Sequence, residues 1–534
     1  MPGRVPGYGG PAMPNARRFF CYLPVRDAEL FTVVCLPEEG ERFPTVIFRS
    51  PYVDSAQDLP EETVLGQYAD SRTEWTSRGY AVVFQHCRGR GKSSGDCVPY
   101  IYEREDGLAL QAWIREQPFY NGELYLVGGS YTASVHFATA PFAPDVRGAV
   151  LEVQDCERYN GYYRNGFYKM SPGGGWYAGM YKRKSLPKKN GATESYHLLP
   201  LIDFSETVFG ERAPEFDEIL RHPRRDDPFW TDTLWGGSDS HHAIRHAHIP
   251  ILLLSGFYDI YTGGCFAMWQ TLDEETRRRS AFLVHPYDHG CNPAGQPIQF
   301  ENSLPSEVFG SFRIDWLDAV RGKRAFPLPT GEVTYYRLFE NRWQTDAFLP
   351  GSRTLTFALG DGETTFRYNP FAPATFKGGL SDNVGGNQWQ DPPGRRYDVL
   401  SFFTPEFDRD VFVKGKMTAR LTVRSTCEDT CFYVRVSLVK PEGYYGLRDD
   451  INQISNFAPD YVPGEEIGMD FTFDEHAFLI RRGEKLRIDV SSSSFPNYVR
   501  HTNNRGLFSI QTTAKIADNT VVADRSVLNL PTEP

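Results

Sequence analysis

No stretch of this sequence approaches the ~18 consecutive apolar residues that a membrane-spanning helix needs. The opening Met1-Pro2-Gly3-Arg4-Val5-Pro6-Gly7 also lacks the apolar core of a secretory signal. The expectation is a protein with no signal peptide and no membrane partner. Excess positive charge is missing too: 57 Lys and Arg stand against 68 Asp and Glu, a formal net charge of −11. Binding to a polyanion requires clustered cations, so nucleic acid is excluded as a partner. The short basic stretches Tyr181-Lys182-Arg183-Lys184 and Arg277-Arg278-Arg279 read as solvated surface. A disulfide framework is lacking as well, because the nine cysteines (21, 35, 87, 97, 156, 265, 291, 427, 431) are odd in number and scattered. They are expected to be reduced thiols in a cytoplasmic protein. Cys427 and Cys431, the closest pair, are expected in strands rather than on zinc. Internal repeats and extended low-complexity segments are absent.

What is present is a folded chain of 534 residues, too long for one ordinary core, with 40% hydrophobic and 23% charged residues. Short apolar runs recur in the first half: Thr45–Phe48, Ala81–Phe84, Leu124–Val127, Ala149–Leu151, Ile251–Leu254 and Phe282–Val284. Such runs suit strands covered on both faces of a parallel sheet. Helical stretches lie between them, for example Glu105–Gln117 with Leu108, Ala112 and Trp113 on one face. The layout is α/β. Residues 155–240 break it: they are rich in Tyr, Gly, Lys and Arg, show no strand pattern, and separate two strands of the sheet. An insertion there would cap the carboxyl edge of the sheet, where such folds place their sites. After about residue 335, period-2 alternation takes over in Met417–Val423, Phe432–Leu438 and Leu486–Val490. That texture predicts an antiparallel β-sandwich of jelly-roll type.

The strongest chemical signal is Val127-Gly128-Gly129-Ser130-Tyr131-Thr132-Ala133, a strand running through small residues into a serine and then a helix-compatible stretch. A serine on a tight strand-to-helix turn needs small neighbours, and the turn exposes its hydroxyl over the helix N-terminus. That hydroxyl is inert near neutral pH unless a histidine accepts its proton and a carboxylate orients the histidine. In hydrolases of this layout the chain order is Ser, acid, His, with acid and base after late strands. Asp259 follows the strand Ile251–Leu254, and the strand ending at Val284 leads into His285-Pro286-Tyr287-Asp288-His289. His289, out on the loop, is the candidate base; His285 sits at the strand end itself.

These residues resemble a known family, the cocaine-esterase-like and Xaa-Pro dipeptidyl-peptidase-like hydrolases, which also include α-amino-acid ester hydrolases. The resemblance spans nearly the whole chain. It rests on Arg49-Ser50-Pro51-Tyr52, Gln85-His86-Cys87-Arg88-Gly89-Arg90-Gly91-Lys92-Ser93-Ser94-Gly95, Glu105-Asp106-Gly107, Gly128-Gly129-Ser130-Tyr131, Gly256-Phe257-Tyr258-Asp259, Pro286-Tyr287-Asp288-His289 and Phe478–Arg487 followed by Ser491–Pro496. It implies an α/β-hydrolase domain in two parts (1–154 and 241–335), an inserted helical cap (155–240) and a C-terminal jelly roll (336–534). It implies Ser130 as nucleophile, Asp259 as acid and His289 as base, with an oxyanion hole from the Tyr131 backbone N–H and the Tyr52 hydroxyl. No cofactor or metal is implied. The chain departs from the family pattern at Ala133 and His285, where the family has Gly, and at His86, where it has Asp.

The function expected is hydrolysis of a small-molecule carboxylic ester or amide through an acyl-enzyme. A dipeptidyl-peptidase-type aminopeptidase and a non-catalytic carbohydrate- or polymer-binding protein are the rival readings, and a homo-oligomer is left open. A required free α-amino group is not expected. Amino-ester hydrolases carry carboxylates two and three residues after the acid, where this chain has Tyr261 and Thr262, although Asp155 or Glu157 could substitute. Gly89–Ser93 resembles a phosphate loop without the leading glycine, and His241–His248 has metal-like spacing without a partnering carboxylate. Both read as structural.

Overall fold

The computed structural model describes residues 17–182, 191–232, 242–291, 293, 295–303, 306–379 and 387–534. The strands of its first half are β1 (Arg18–Val25), β2 (Ala28–Cys35), β3 (Phe43–Ser50), β4 (Ala81–His86), β5 (Tyr120–Gly129), β6 (Val146–Glu152), β7 (Tyr163–Arg164), β8 (Phe167–Tyr168), β9 (Ile251–Gly256), β10 (Ala281–His285), β11 (Val333–Arg337) and β12 (Arg342–Asp346). All but the β7–β8 hairpin join one ten-stranded sheet, in the order β1-β2-β4-β3-β5-β6-β9-β10-β11-β12. Pairing is parallel from β4 across to β11 and antiparallel at the two ends. Every residue of β4, β9 and β10 is buried, which is why these strands read as unbroken apolar runs. This is an α/β-hydrolase sheet, and it continues past residue 335. The change of texture falls inside β11, all five residues of which are buried.

The helix expected from Glu105 runs from Glu103 to Arg115, and its inner face differs from the apolar pattern. Leu110, Trp113 and Ile114 are buried, Ala112 is exposed, and Glu103 and Asp106 are buried beside them. Those two acids face inward because buried arginines hold them: Arg49 Nη1 lies 3.0 Å from Glu103, and Arg88 Nε donates to Asp106 at 3.0 Å. A hydrophobicity pattern cannot register a core position filled by a neutralised charge.

Between β6 and β9 the chain forms a cap of short helices, including Arg158–Tyr162, Tyr177–Met180, Phe204–Phe209 and Pro214–Arg221. It also contains the β7–β8 hairpin and a wide helical turn at Met170–Trp176, neither of which the sequence announced. The C-terminal part is a β-sandwich of a seven-stranded and a five-stranded antiparallel sheet. Val413, Leu421, Val423 and Leu528 of one sheet share a core with Phe432, Val434, Ile488 and Val490 of the other. Cys431 opens a strand, as expected; Cys427 instead lies in the bend after the strand Thr418–Ser425. All nine cysteines are free. Among the described residues no helix is long and apolar enough to cross a membrane. Of the short basic stretches, Arg183 and Lys184 lie outside the described residues.

Cap and sandwich are joined by Arg164, at the end of the cap strand β7. Its guanidinium donates to Asp450 at 2.7 Å, to Asp474 at 2.9 Å and to the Thr472 carbonyl at 2.6 Å. Asp450 is fully enclosed, so removing the cation would leave a buried carboxylate with hydrogen bonds from Asn165 and Thr472 but without its counter-ion. Arg164→Ala is therefore expected to destabilise the protein by about 3–5 kcal/mol, read as a lower urea midpoint, whereas a shift within error would show that the contact contributes nothing.

Candidate active site

Ser130 sits where β5 turns into the helix Tyr131–Phe137, with backbone φ of 56° and ψ of −132°. The turn is so tight that a Cβ on Gly128 would overlap the Thr132 carbonyl, so only glycine fits there. Thr132 closes the turn by accepting from the Gly129 N–H at 2.7 Å. Ala133 is fully buried against the sheet, and its small side chain leaves the turn intact.

The loops after β9 and β10 converge on this serine. His289 Nε2 lies 3.0 Å from Ser130 Oγ, and His289 Nδ1 lies 2.9 Å from Asp259 Oδ1. Asp259 is fully buried and is also held by the Tyr261 N–H at 3.2 Å and the Ser255 hydroxyl at 3.3 Å. Burial alone would lower the His289 pKa, but the Asp259 charge and hydrogen bond outweigh it and raise the pKa above 6.5. An imidazole so placed can take the hydroxyl proton while the carboxylate holds its tautomer.

His285 lies apart from this chain of contacts. Its Nδ1 accepts from the Tyr287 N–H at 3.1 Å and its Nε2 faces Cys291 Sγ at 3.0 Å. The ring therefore braces the loop that carries His289. Burial lowers its pKa to about 4, so it stays neutral. His86 has a parallel role, with Nδ1 accepting from the Lys92 N–H at 3.1 Å and Nε2 facing the Tyr68 hydroxyl at 3.0 Å.

That loop of glycines after His86 is no phosphate cradle. The Gly89 N–H donates to Ser94, Gly91 to Asp54 and Ser93 to Arg90, so its amides are already occupied. Its function is support. Arg90 donates to the Pro51 carbonyl at 2.9 Å and pairs with Asp54 at 2.6 Å, bracketing Tyr52 between two fixed neighbours. Half of Tyr52 is exposed, yet its hydroxyl points inward, within hydrogen-bonding reach of Ser130 and 3.2 Å from Trp176 Nε1. Burial raises the pKa of this hydroxyl despite both contacts, so it remains a neutral donor.

Tyr131 is fixed just as firmly. Its hydroxyl donates to Glu103 at 2.7 Å and accepts from the Tyr100 N–H at 2.8 Å. Its backbone N–H belongs to the first turn of a helix, where amides have no intrahelical acceptor.

Ser130, His289, Tyr52 and Tyr261 meet the cap residues Arg158, Tyr162 and Trp176 around a cavity of about 310 Å³. Sequence reasoning missed Trp176, Tyr100 and Arg158; the only signal for Trp176 and Arg158 was the aromatic and basic composition of the cap, and Tyr100, which precedes the helix Glu103–Arg115, had none. Among the described residues no group of three or more His, Cys, Asp or Glu could hold a metal ion. His241 lies outside the described residues, and His248 pairs with Asp273 at the surface.

Residues 27–291 match the X-Pro dipeptidyl-peptidase (S15) family, and residues 326–524 match the X-Pro dipeptidyl-peptidase C-terminal non-catalytic domain. The chain is 24% identical to a cocaine esterase of Rhodococcus sp., over 91% of this chain and 92% of that protein. Its fold resembles an aminopeptidase from a marine sediment archaeon, a thaumarchaeote (TM-score 0.79, 17% identity, 100% of this chain and 99% of that one). It also resembles an α-amino acid ester hydrolase (TM-score 0.75, 18% identity, 97% and 96%). The chain belongs to the X-Pro dipeptidyl-peptidase (S15) family of hydrolases, and carries both that family's S15 domain and its C-terminal domain.

Proposed function

We propose that the protein is a serine hydrolase that cleaves a small carboxylic ester through an acyl-enzyme. The observation that carries this reading is the unbroken contact chain Ser130–His289–Asp259 on the wall of the cavity. Ser130 Oγ attacks the substrate carbonyl as its proton passes to His289 Nε2, and Asp259 stabilises the imidazolium. The oxyanion that forms accepts from the Tyr52 hydroxyl and the Tyr131 N–H. His289 returns the proton to the departing alcohol. Water, deprotonated by the same imidazole, then releases the acid and restores Ser130.

The family's peptidase members and the archaeal aminopeptidase raise a second reading, cleavage of an amide behind a free amino terminus. The carboxylates here do not favour it. Glu157 is claimed by Arg225 and Arg245, and Asp155 by the Glu157 N–H and Asn160, both at 2.8 Å. An ester without a free amine is the better fit.

A fluorophosphonate probe should label the wild-type protein at Ser130, and Ser130→Ala should abolish both labelling and turnover without changing the circular-dichroism spectrum. His289→Ala should match that loss, because such residues act as a unit, while His285→Ala retains measurable turnover; the reverse ranking would move the base to the strand end. Tyr52→Phe should lower kcat about 10²–10³-fold with little change in KM; a change in KM alone would make Tyr52 a wall of the pocket. A pH series supplies a further check. The base must be unprotonated, and its pKa is raised, so kcat/KM should fall on the acid side with an apparent pKa above 6.5. An acid limb below that value would contradict the pairing with Asp259.

A further inference from the structure

Arg158 lies six residues beyond the end of β6, on the cap side of the cavity, and only 2% of it is exposed. Other buried arginines of the hydrolase half have acceptors: Arg49 has Glu103, Arg88 has Asp106, and Arg90 has the Pro51 carbonyl. Arg158 has none. Its Nε and both terminal nitrogens lack a hydrogen-bond partner among the described residues. What surrounds it instead are ring faces, Tyr100 at 3.5 Å and Tyr162 at 4.7 Å from the guanidinium carbon. The Tyr162 hydroxyl lies beside it without the geometry of a hydrogen bond and is itself unpaired. The acids nearest in sequence have turned to other partners, Asp155 to Asn160 and Glu157 to Arg225 and Arg245.

A guanidinium out of water without a counter-ion is costly, and the cost falls when an anion arrives. Ring stacking excludes water from the faces of the planar cation, while its edge, a row of N–H donors, stays available. We infer that Arg158 is a specificity residue that binds a carboxylate of the substrate, so the natural ester carries a second, ionised carboxyl group. This rests on the hydrolase reading of Ser130 given above. The planar fork matches a carboxylate two bonds at a time. A phosphate dianion fits less well, because a single guanidinium balances only one of its two charges. The cavity, at about 310 Å³, has room for a small acyl or leaving group beside the guanidinium.

The test uses two pairs of esters. p-Nitrophenyl hydrogen adipate is compared with its neutral methyl ester, and 3-acetoxybenzoate with methyl 3-acetoxybenzoate, so that the carboxylate lies on the acyl side in one pair and on the leaving group in the other. In at least one pair the wild-type kcat/KM should favour the anion by tenfold or more, as expected for charge-assisted hydrogen bonds. In Arg158→Gln that ratio should fall about 10- to 100-fold, and Arg158→Lys should recover part of it. p-Nitrophenyl 6-aminohexanoate should be the poorest acyl donor of its length. Ratios near one in both wild-type pairs, or an unchanged ratio in Arg158→Gln, would overturn the inference. Calorimetric binding of monomethyl adipate to the Ser130→Ala protein, lost in Ser130→Ala/Arg158→Gln, tests the anion site without turnover, and no binding to the former would also overturn it. Binding there with no fluorophosphonate labelling of wild type would sink the Ser130 assignment and keep the carboxylate site.

Discussion

The rest of the site depends on one steric constraint, the passage of the Tyr131–Phe137 helix over Gly128 with no room for a side chain. Because the helix comes this close, Ser130 is forced to a positive φ, and its hydroxyl is lifted off the sheet toward the loops from β9 and β10. Ordinary residues avoid that conformation, so the surroundings must hold it. Thr132 bonds back to Gly129, and the Tyr131 ring is anchored by Glu103, which Arg49 neutralises in turn. A charge pair deep under the sheet edge thus reaches Ser130 through a single aromatic residue.

Loops supply everything else, and each is braced by something other than apolar packing. Two neutral histidines, His86 and His285, use both ring nitrogens to hold a loop, and burial keeps both unprotonated. Imidazole suits this task because one ring can accept an amide hydrogen on one side while its other nitrogen meets a second group. Histidine in this protein therefore serves opposite ends: His289 has a raised pKa beside a buried carboxylate, and the two braces have lowered ones.

Much of this was legible in the sequence. The strands were visible because burial on both faces leaves a continuous apolar run, and Ser130, Asp259 and His289 stood out because a particular residue type must occur at each of three strand ends. What escaped was anything decided by contact between distant segments. Leu108, Ala112 and Trp113 were read as the inner face of a helix whose true inner face includes Glu103 and Asp106, since neutralised acids look like surface. Arg90 could be seen in its motif, but its grip on the Tyr52 loop could not. Trp176 and Arg158 belong to a cap built of short pieces with no periodicity, so nothing local marked them. The first sheet runs on past residue 335 through β11 and β12, a pairing between segments that no local pattern announces.

The sandwich also reaches beneath the site. Asp474, held by Arg164 of the cap, packs against Gly263 at the start of the helix Thr262–Thr271, and Asp155 packs against Gly264 beside it. That helix begins three residues after Asp259, so an acid from the sandwich, an acid from the end of the sheet and an arginine from the cap all meet behind the same turn. For lineages that exchange modules by recombination, this makes the three parts poor candidates for separate inheritance. A cap transplanted without its own sandwich would arrive with Arg164 and find no carboxylates waiting, and a sandwich transplanted alone would bring Asp474 to a partner that lacks the arginine.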